Sequence, residues 1–454
     1  MPKSTQLHFA KALLPDGWRD NARIATRDGL IASIETGAKP GPNDECHAIG
    51  LPGMPNLHSH AFQRGMAGLA EVQGQTADSF WTWREAMYRF VDRIEPDTLL
   101  AIAALAYVEM LESGFTRVGE FHYLHHDQAG RPYARRGAMA EALVEAGHET
   151  GIAITLLPVF YAHSAFGGAP PKDAQRRFVT DVDGFAALID ELAPLIAEQP
   201  QGVLGIAPHS LRAVTEQELR TLAALRPNAP IHIHIAEQVR EVEDCLAWCG
   251  TRPVAWLLDH VDVGDRWCLV HATHMTDAET VAVARRQAVA GLCPITEANL
   301  GDGLFPARLF RDEGGRFGIG SDSNVLIDMT EELRLLEYGQ RLLRRQRNCL
   351  ADRAGASTGE SLYAAAVKGG GQALGCAGGI VPGRPADLVS LDGDHPSLDG
   401  KAAERLLDGL IFAAGRSAVD CVWRAGHKVV QGGVHRDRKR IVERYKRAYA
   451  SLIA

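Results

Sequence analysis

The sequence lacks the features that would place it in several large classes of protein. Its 454 residues contain no apolar run near the roughly 20 residues that cross a bilayer. Residues 1–18 show no basic segment followed by an apolar core and a small-residue cleavage site. None of the eight cysteines forms a C-x-x-C pair, and Cys268 and Cys293 lie in apolar runs. We therefore expect a cytoplasmic protein whose cysteines are buried, reduced thiols.

Positive charge is also scarce. The chain has 48 Lys and Arg against 56 Asp and Glu, for a net charge of −8 with histidine neutral. A nucleic-acid partner would require a basic face, so the charge balance argues against one. An anionic substrate would have to be held by local arginines, because the overall field does not attract it.

The middle of the chain has no G-x-G-x-x-G after an early strand, which argues against an open dinucleotide-binding sheet. It alternates short apolar runs with helical patterns instead. Eight strands alternating with helices predict a parallel sheet, and eight is the number that closes a (β/α)8 barrel. The predicted strands are 53–58, 115–121, 152–160, 203–207, 231–235, 267–270, 290–293 and 317–320.

Both ends of the chain have a different, β-rich character. Asp28-Gly29 between two apolar runs predicts a hairpin, and 419–430 predicts two strands that turn at Ala425-Gly426. A basic helix is predicted at about 437–452. We therefore expect three segments: 1–50 and 379–454 form a small β-sandwich domain with a terminal helix, and 51–378 form the barrel.

Titratable side chains stand where several predicted barrel strands end, which is where such barrels carry their chemistry. His58 and His60 are two apart and therefore point to one side of a strand. Four candidate ligands fall at three strand ends, and two further titratable groups lie beside them: His58, His60, His234 and Asp322, then Glu237 and His271. Three imidazoles and one carboxylate are the ligands of a catalytic zinc site.

This pattern resembles the metal-dependent amidohydrolase superfamily, and in particular its aminohydrolase branch. The resemblance extends over nearly the whole chain. It is carried by PGMPNLHSH at 52–60, HIAE at 234–237, SDS at 321–323 and GRPADLV at 383–389. It implies that His58, His60, His234 and Asp322 hold one divalent ion.

The number and kind of metal ions follow from the same comparison. Binuclear members of the superfamily bridge two ions with a lysine on the fourth strand, whereas this chain has no lysine at the ends of strands three to five. We expect one ion, zinc or iron(II), which these ligands do not distinguish. The resemblance implies that Glu237 shuttles protons, that His271 orients or deprotonates the attacking water, and that Asp322 shares the role of base.

Within this branch the resemblance is greatest to deiminases of N-formimidoyl-L-glutamate, which act in histidine degradation. Their substrate is a linear amidine with two carboxylates, so its pocket needs cations and hydrogen-bond donors. Arg212 and Gln63 are expected at the α-carboxylate, Arg84 and Tyr123 at the other one, and His209 near the formimidoyl nitrogens. Arg84 belongs to an aromatic segment, 80–84, that we expect to be a loop.

Two other functions remain open. One is deamination of a ring such as guanine, an adenosine-type nucleoside or a triazine, although Thr296-Glu297 stands where such enzymes often carry Ser/Thr-Asn. The other is an assembly protein that has lost its metal. Members of the family are commonly homodimers, and Trp81 and Trp83 are candidates for the subunit contact. His232 is expected to be a barrel-core residue, and no nucleic-acid or membrane partner is expected.

Overall fold

A computed structural model describes residues 4–72 and 80–453. The strands are numbered here in chain order. They are β1 Ser4–Leu14, β2 Gly17–Arg27, β3 Leu30–Glu35, β4 Glu45–Pro52, β5 Met54–Ser59, β6 Phe115–His122, β7 Ala153–Phe160, β8 Val203–Leu204, β9 Ala207–Pro208, β10 Ile231–Ile235, β11 Trp267–His271, β12 Val289–Leu292, β13 Arg316–Ile319, β14 Leu388–Leu391, β15 Val419–Arg424, β16 His427–Gln431 and β17 Val434–His435.

The helices are numbered in the same way. They are α1 Phe80–Val91, α2 Pro96–Glu112, α3 Ala138–Thr150, α4 Val182–Ala197, α5 Glu216–Leu225, α6 Val239–Cys249, α7 Pro253–His260, α8 Asp277–Arg285, α9 Pro294–Leu300, α10 Ala307–Asp312, α11 Met329–Arg344, α12 Thr358–Ala373, α13 Ala403–Gly409 and α14 Arg438–Ile453. Shorter helical turns lie at Ala61–Met66, Asp173–Gln175, Leu410–Ala414 and Gly415–Ala418.

The central sheet is parallel and closes into a barrel. Its hydrogen-bonded order is β10-β11-β12-β13-β5-β6-β7-β8, and β9 also pairs with β7. The fourth strand is split between β8 and β9, and parallel bridges from Ile206 to Ile231 and from Ser210 to His234 connect it to β10. The eight predicted strands are therefore confirmed, with helices between them. Because all strands run in one direction, their carboxyl ends meet at one mouth.

A second sheet is formed by strands from both ends of the chain. Its order is β17-β16-β15-β14-β4-β1-β2-β3. A buried apolar cluster separate from the barrel core includes Phe9 and Ile24 from the first strands and Leu388 and Trp423 from the last ones. Strands from the two ends of the chain thus share one core. This architecture confirms the predicted barrel with a separate β-structure built from both termini.

Local sequence signals explain several element boundaries. Asp28 and Gly29 have φ values of 52° and 82°, as the tight turn between β2 and β3 requires. The T-x-x-E sequences that begin at Thr215 and Thr276 form capping boxes at the starts of α5 and α8. The segment 80–84 corrects a prediction: it begins helix α1 and is not a loop.

The cysteines and the helices bear on two expectations drawn from the composition. All eight cysteines are free, but Cys46 and Cys249 are exposed, so only part of the set is buried as predicted. Across the described part of the chain, we find no helix with the length and apolar character that crossing a bilayer demands.

Candidate active site

Four predicted ligands meet at the mouth of the barrel. His58 and His234 bring their Nε2 atoms to 3.0 Å from each other. Asp322 Oδ1 lies 3.4 Å from His58 Nε2 and 3.3 Å from His60 Nε2. The donor atoms of all four residues lie within 4.8 Å of one another, and all four side chains are buried. The structure thus brings together residues that are up to 264 positions apart in the chain.

Pairing between β5 and the end of β13 sets this arrangement. The backbone N–H of Asp322 donates to His58 O at 2.9 Å, and the N–H of His60 donates to Asp322 O at 3.0 Å. Gly320 makes the close approach possible, because a Cβ on it would lie 2.8 Å from the His58 carbonyl oxygen. Asp322 itself has a φ of 43°, a left-handed conformation that turns its carboxylate into the barrel mouth.

Backbone carbonyls orient two of the imidazoles. His60 Nδ1 donates to Phe121 O at 2.9 Å, and His234 Nδ1 donates to His209 O at 3.1 Å. With the proton on Nδ1, each ring presents the lone pair of Nε2 to the cluster, as a metal ligand must. Two nitrogen atoms that face each other at 3.0 Å, beside a carboxylate, form a donor set that fits a cation.

Burial fixes the charge states that such a site needs. It lowers the pKa of His58 to about 3, and it also lowers the pKa values of His60 and His234. Burial alone would raise the pKa of Asp322, but the hydrogen bond from His58 and the neighbouring imidazoles outweigh it, so that pKa lies below its ordinary value. Three neutral imidazoles and one carboxylate therefore fit a divalent metal ion.

Glu237 and His271 lie beside the ligands. His271 Nε2 is 3.7 Å from Glu237 Oε1 and 3.8 Å from Asp322 Oδ2. Burial raises the pKa of Glu237 to about 7, which suits a group that both accepts and donates protons near neutral pH. Burial alone would lower the pKa of His271, but the carboxylates of Glu237, Glu297 and Asp322 outweigh it and raise that pKa well above its ordinary value.

The pocket over this cluster is lined by all five predicted substrate-binding residues. They are Gln63, Arg84, Tyr123, His209 and Arg212, and they share the pocket with His60, His234, Glu237, His271 and Asp322. Gln63 Nε2 donates to Tyr123 Oη at 3.0 Å, so these two act as one unit. Burial lowers the pKa of His209 well below its ordinary value and keeps that ring neutral.

Among the described residues, no acidic side chain forms an ion pair with either arginine of the pocket. Arg84 Nη2 donates to Tyr161 Oη at 2.9 Å. Arg212 is only 8% exposed, and its Nε and Nη1 atoms have no hydrogen-bond partner among the described residues. Within residues 4–72 and 80–453, no carboxylate oxygen lies within 4.0 Å of either guanidinium group. Both arginines are therefore free to bind an anion.

Four acidic residues near the site were not predicted. Glu297 accepts from His271 Nδ1 at 3.3 Å, and Glu241 accepts from the backbone N–H groups of Ala236 and Glu237. Asp302 forms a buried group with Glu237 and His271, and burial raises its pKa to about 9. Glu120 accepts from the Ala61 N–H at 2.7 Å. Of these four, only Glu297 could have been noticed in the sequence, because Thr296-Glu297 stands where related deaminases often carry Ser/Thr-Asn.

Histidines outside this group have structural roles. His232 Nε2 donates to Ala373 O at 2.7 Å, as expected for a barrel-core residue. His125 and His126 donate to the carbonyls of Val159 and Val179. His274 Nε2 donates to Asp302 O at 2.8 Å. The sequence alone did not separate these rings from the ligands except by their place relative to strand ends.

Two models of known protein families match this chain. A model described as the amidohydrolase family matches residues 49–429. The chain belongs to the amidohydrolase family. A second model, described as the N-terminal domain of formimidoylglutamate deiminase HutF, matches residues 4–48. Together the two matches span the barrel and most of the terminal sheet.

Individual members of the amidohydrolase family agree with this assignment. The chain is 50% identical over 447 residues to formimidoylglutamate deiminase from Pseudomonas aeruginosa, with 98% of each chain covered. It is 28% identical to 8-oxoguanine deaminase from the same species, with 95% of each covered. A crystal structure of an amidohydrolase from Brucella melitensis has a TM-score of 0.97 and 54% identity, and covers 99% of this chain and 100% of that one.

Proposed function

We propose that this protein hydrolyses N-formimidoyl-L-glutamate to N-formyl-L-glutamate and ammonia, a step of histidine degradation. The observation that carries the proposal is the pocket itself, in which two arginines without a carboxylate partner among the described residues share the lining with a candidate metal cluster and an adjoining proton-handling pair. The 50% identity to a formimidoylglutamate deiminase over nearly the full length supports it. Two arginines suit a substrate with two carboxylates better than they suit an uncharged ring.

We further propose that the cluster of His58, His60, His234 and Asp322 holds one zinc ion. The donor set supports this choice, because imidazole and carboxylate ligands suit zinc, and iron(II) accepts the same ones. When bound, the ion would activate water for attack at neutral pH. Elemental analysis of the purified protein tests the stoichiometry, which we expect to be one ion per chain.

Proton transfer falls to side chains beside the cluster. Glu237, with a pKa of about 7, delivers a proton to the amidine nitrogen that leaves as ammonia. His271 lies between Glu237 and Asp322 at 3.7 and 3.8 Å, so it orients the attacking water and passes a proton between the two carboxylates. Glu297 holds the Nδ1 side of His271 and thereby fixes the direction of its Nε2 atom.

Substrate binding uses other residues that line the same pocket. Arg212 and Gln63 bind the α-carboxylate, and Arg84 and Tyr123 bind the other one. The Gln63–Tyr123 hydrogen bond places both groups on one side, and Gln63 Oε1 is buried without a partner among the described residues. His209 stays neutral and accepts from, or donates to, the formimidoyl nitrogens.

Ammonia release from candidate substrates tests the proposal. We expect turnover of N-formimidoyl-L-glutamate and none of guanine, adenosine or a triazine. Ammonia from guanine but not from the linear amidine would overturn the proposal in favour of a ring deaminase. A protein that contains no metal after purification and shows no activity with added zinc would not be an enzyme of this kind.

The proposed function also implies a set of partners for the protein. We propose that the small anionic substrate is the ligand of the pocket, that the protein forms a homodimer in the cytoplasm, and that it binds neither nucleic acid nor membranes. Light scattering of the purified protein tests the dimer. A mass equal to one chain of 49.2 kDa would overturn it.

A further inference from the structure

A second cavity adjoins the catalytic pocket. Its volume is about 510 Å³, within the range of sites for small molecules. The catalytic pocket encloses about 50 Å³. We call the larger cavity the antechamber, and its lining includes Trp81, Arg84, Lys172, Arg212, Arg240 and Trp248. The antechamber is the larger of the two cavities.

Helix α1 is the wall between the two cavities. Phe80, Trp83 and Met87 line the catalytic pocket, whereas Trp81 and Tyr88 line the antechamber. These sets lie on two faces of one helix, as the spacings of three and four residues require. Arg84 of this helix lines both cavities, and so does Arg212, which lies between β9 and α5. The two arginines therefore stand at the threshold between the cavities.

Three guanidinium groups surround one indole ring in the antechamber. The Cζ atoms of Arg84, Arg212 and Arg240 lie 5.8, 5.7 and 4.8 Å from the centre of the Trp81 ring. Attraction to the ring face is modest and does not neutralise three like charges. Lys172 adds a fourth cation to the lining.

The anionic groups of the antechamber do not balance this charge. Among the described residues, its lining carboxylates are those of Glu85 and Asp244. Asp244 is 3.8 Å from Arg240 in a pair whose side chains are 51% and 63% exposed, so this pair is weak. Arg212, by contrast, is buried and has two nitrogen atoms without partners among the described residues. A charged donor of this kind is costly unless an anion binds it.

We propose that the antechamber is a second binding site for dicarboxylates of the glutamate type, which captures the substrate before it passes to the catalytic pocket. Arg240 and Lys172, which line only the antechamber, receive a carboxylate there, and the threshold arginines bind the substrate once it has passed into the catalytic pocket. In a molecule with a charge of −8, this local cationic surface is what attracts an anion. The inference rests on the proposed function for the identity of the substrate.

Kinetics of the Arg240→Gln variant test the capture step. We expect kcat/KM for formimidoylglutamate to fall three- to tenfold at 20 mM NaCl, mainly through KM, and the fall to shrink at 300 mM because salt screens exposed charges. The matched control is Arg220→Gln, since Arg220 also forms an exposed i,i+4 pair, with Glu216 at 2.9 Å, but outside the antechamber. Equal kinetics for the two variants at both salt concentrations would overturn the proposal.

Binding of glutarate tests the site without turnover. Calorimetric titration of the metal-loaded protein is expected to show two glutarate sites, with the weaker one lost in Arg240→Gln and kept in Arg220→Gln. A single site in the wild-type protein would overturn the antechamber even if the enzyme deiminates formimidoylglutamate. Conversely, two glutarate sites in a protein inactive on that substrate would sink the proposed function and leave the antechamber in place.

Discussion

Histidines at the mouth of the barrel and histidines elsewhere in it are oriented in opposite ways. At the mouth, His60 and His234 commit Nδ1 to a backbone carbonyl and leave Nε2 facing the cluster. In the surrounding structure, His125 and His232 commit Nε2 to a carbonyl instead. All four rings are buried, so burial does not distinguish them. What differs is which nitrogen remains available, and this decides whether a buried imidazole binds a ligand or supports the fold.

The sharpest test compares two residues of one strand, β10. In His234→Gln we expect loss of the metal and at least about a thousandfold loss of kcat, because a bound metal stabilises the transition state by several kcal/mol. In His232→Gln the amide can still donate to Ala373 O, so metal and activity should stay and stability should fall by about 1 kcal/mol. Metal analysis, kcat and thermal unfolding distinguish them. Metal retained in His234→Gln would break the comparison.

Glu237→Gln separates proton transfer from metal binding at the mouth. A glutamine has the same shape but transfers no proton, so we expect kcat to fall by about 100- to 10,000-fold while one metal per chain remains. Elemental analysis and steady-state kinetics measure both. A kcat within threefold of wild type would remove Glu237 from the proton pathway.

Arg212→Met tests the cationic side of the mouth, where donors lack partners. Loss of a charged hydrogen bond of about 1.5–3 kcal/mol predicts a fall in kcat/KM of about 10- to 150-fold, carried mostly by KM. Arg212→Lys keeps the charge without the two-pronged donor and should recover part of the loss. Unchanged kinetics in Arg212→Met would exclude this arginine from the substrate site.

The Glu297→Ala variant tests whether the imidazole of His271 must be held in a fixed orientation. Without its acceptor, His271 loses the hydrogen bond on Nδ1, and we expect about a tenfold loss of kcat with the metal kept. Glu297→Gln retains an acceptor oxygen and should recover most of the rate. Equal losses in both variants would show that the charge of Glu297 matters more than its hydrogen bond.

The smallest effect concerns a histidine outside the mouth. Burial lowers the pKa of His125 to about 4, so the folded protein binds this proton only near pH 4 whereas the unfolded chain binds it near 6.5. The unfolded state therefore holds more protons between these values, and stability falls as pH decreases from 6.5 to 4. His125→Gln should lose less stability between pH 7 and 5 than wild type in thermal unfolding, whereas the exposed His148→Gln should behave as wild type.

Much of the candidate site could be predicted because the end of a buried strand is recognisable in the local sequence. His58, His60, His234 and Asp322 each close an apolar run of the right length, and a parallel barrel brings such ends together. The supporting residues are not recognisable in this way. Asn56 Nδ2 donates to Ser321 Oγ, 265 positions away, and holds the loop that carries Asp322. A contact of that kind does not show in the neighbouring sequence.

The sequence by itself determined the alternation of strands and helices, the β-structure at both ends and the candidate metal ligands at the strand ends, because these depend on short-range periodicity and residue chemistry. Only the tertiary structure decided which imidazole nitrogen stays open, that Glu297 holds His271, and that 80–91 form a helix with a cavity on each face. The physical reason is that hydrogen-bond partners and cavity walls come from distant segments, whose approach is set by packing of the whole barrel.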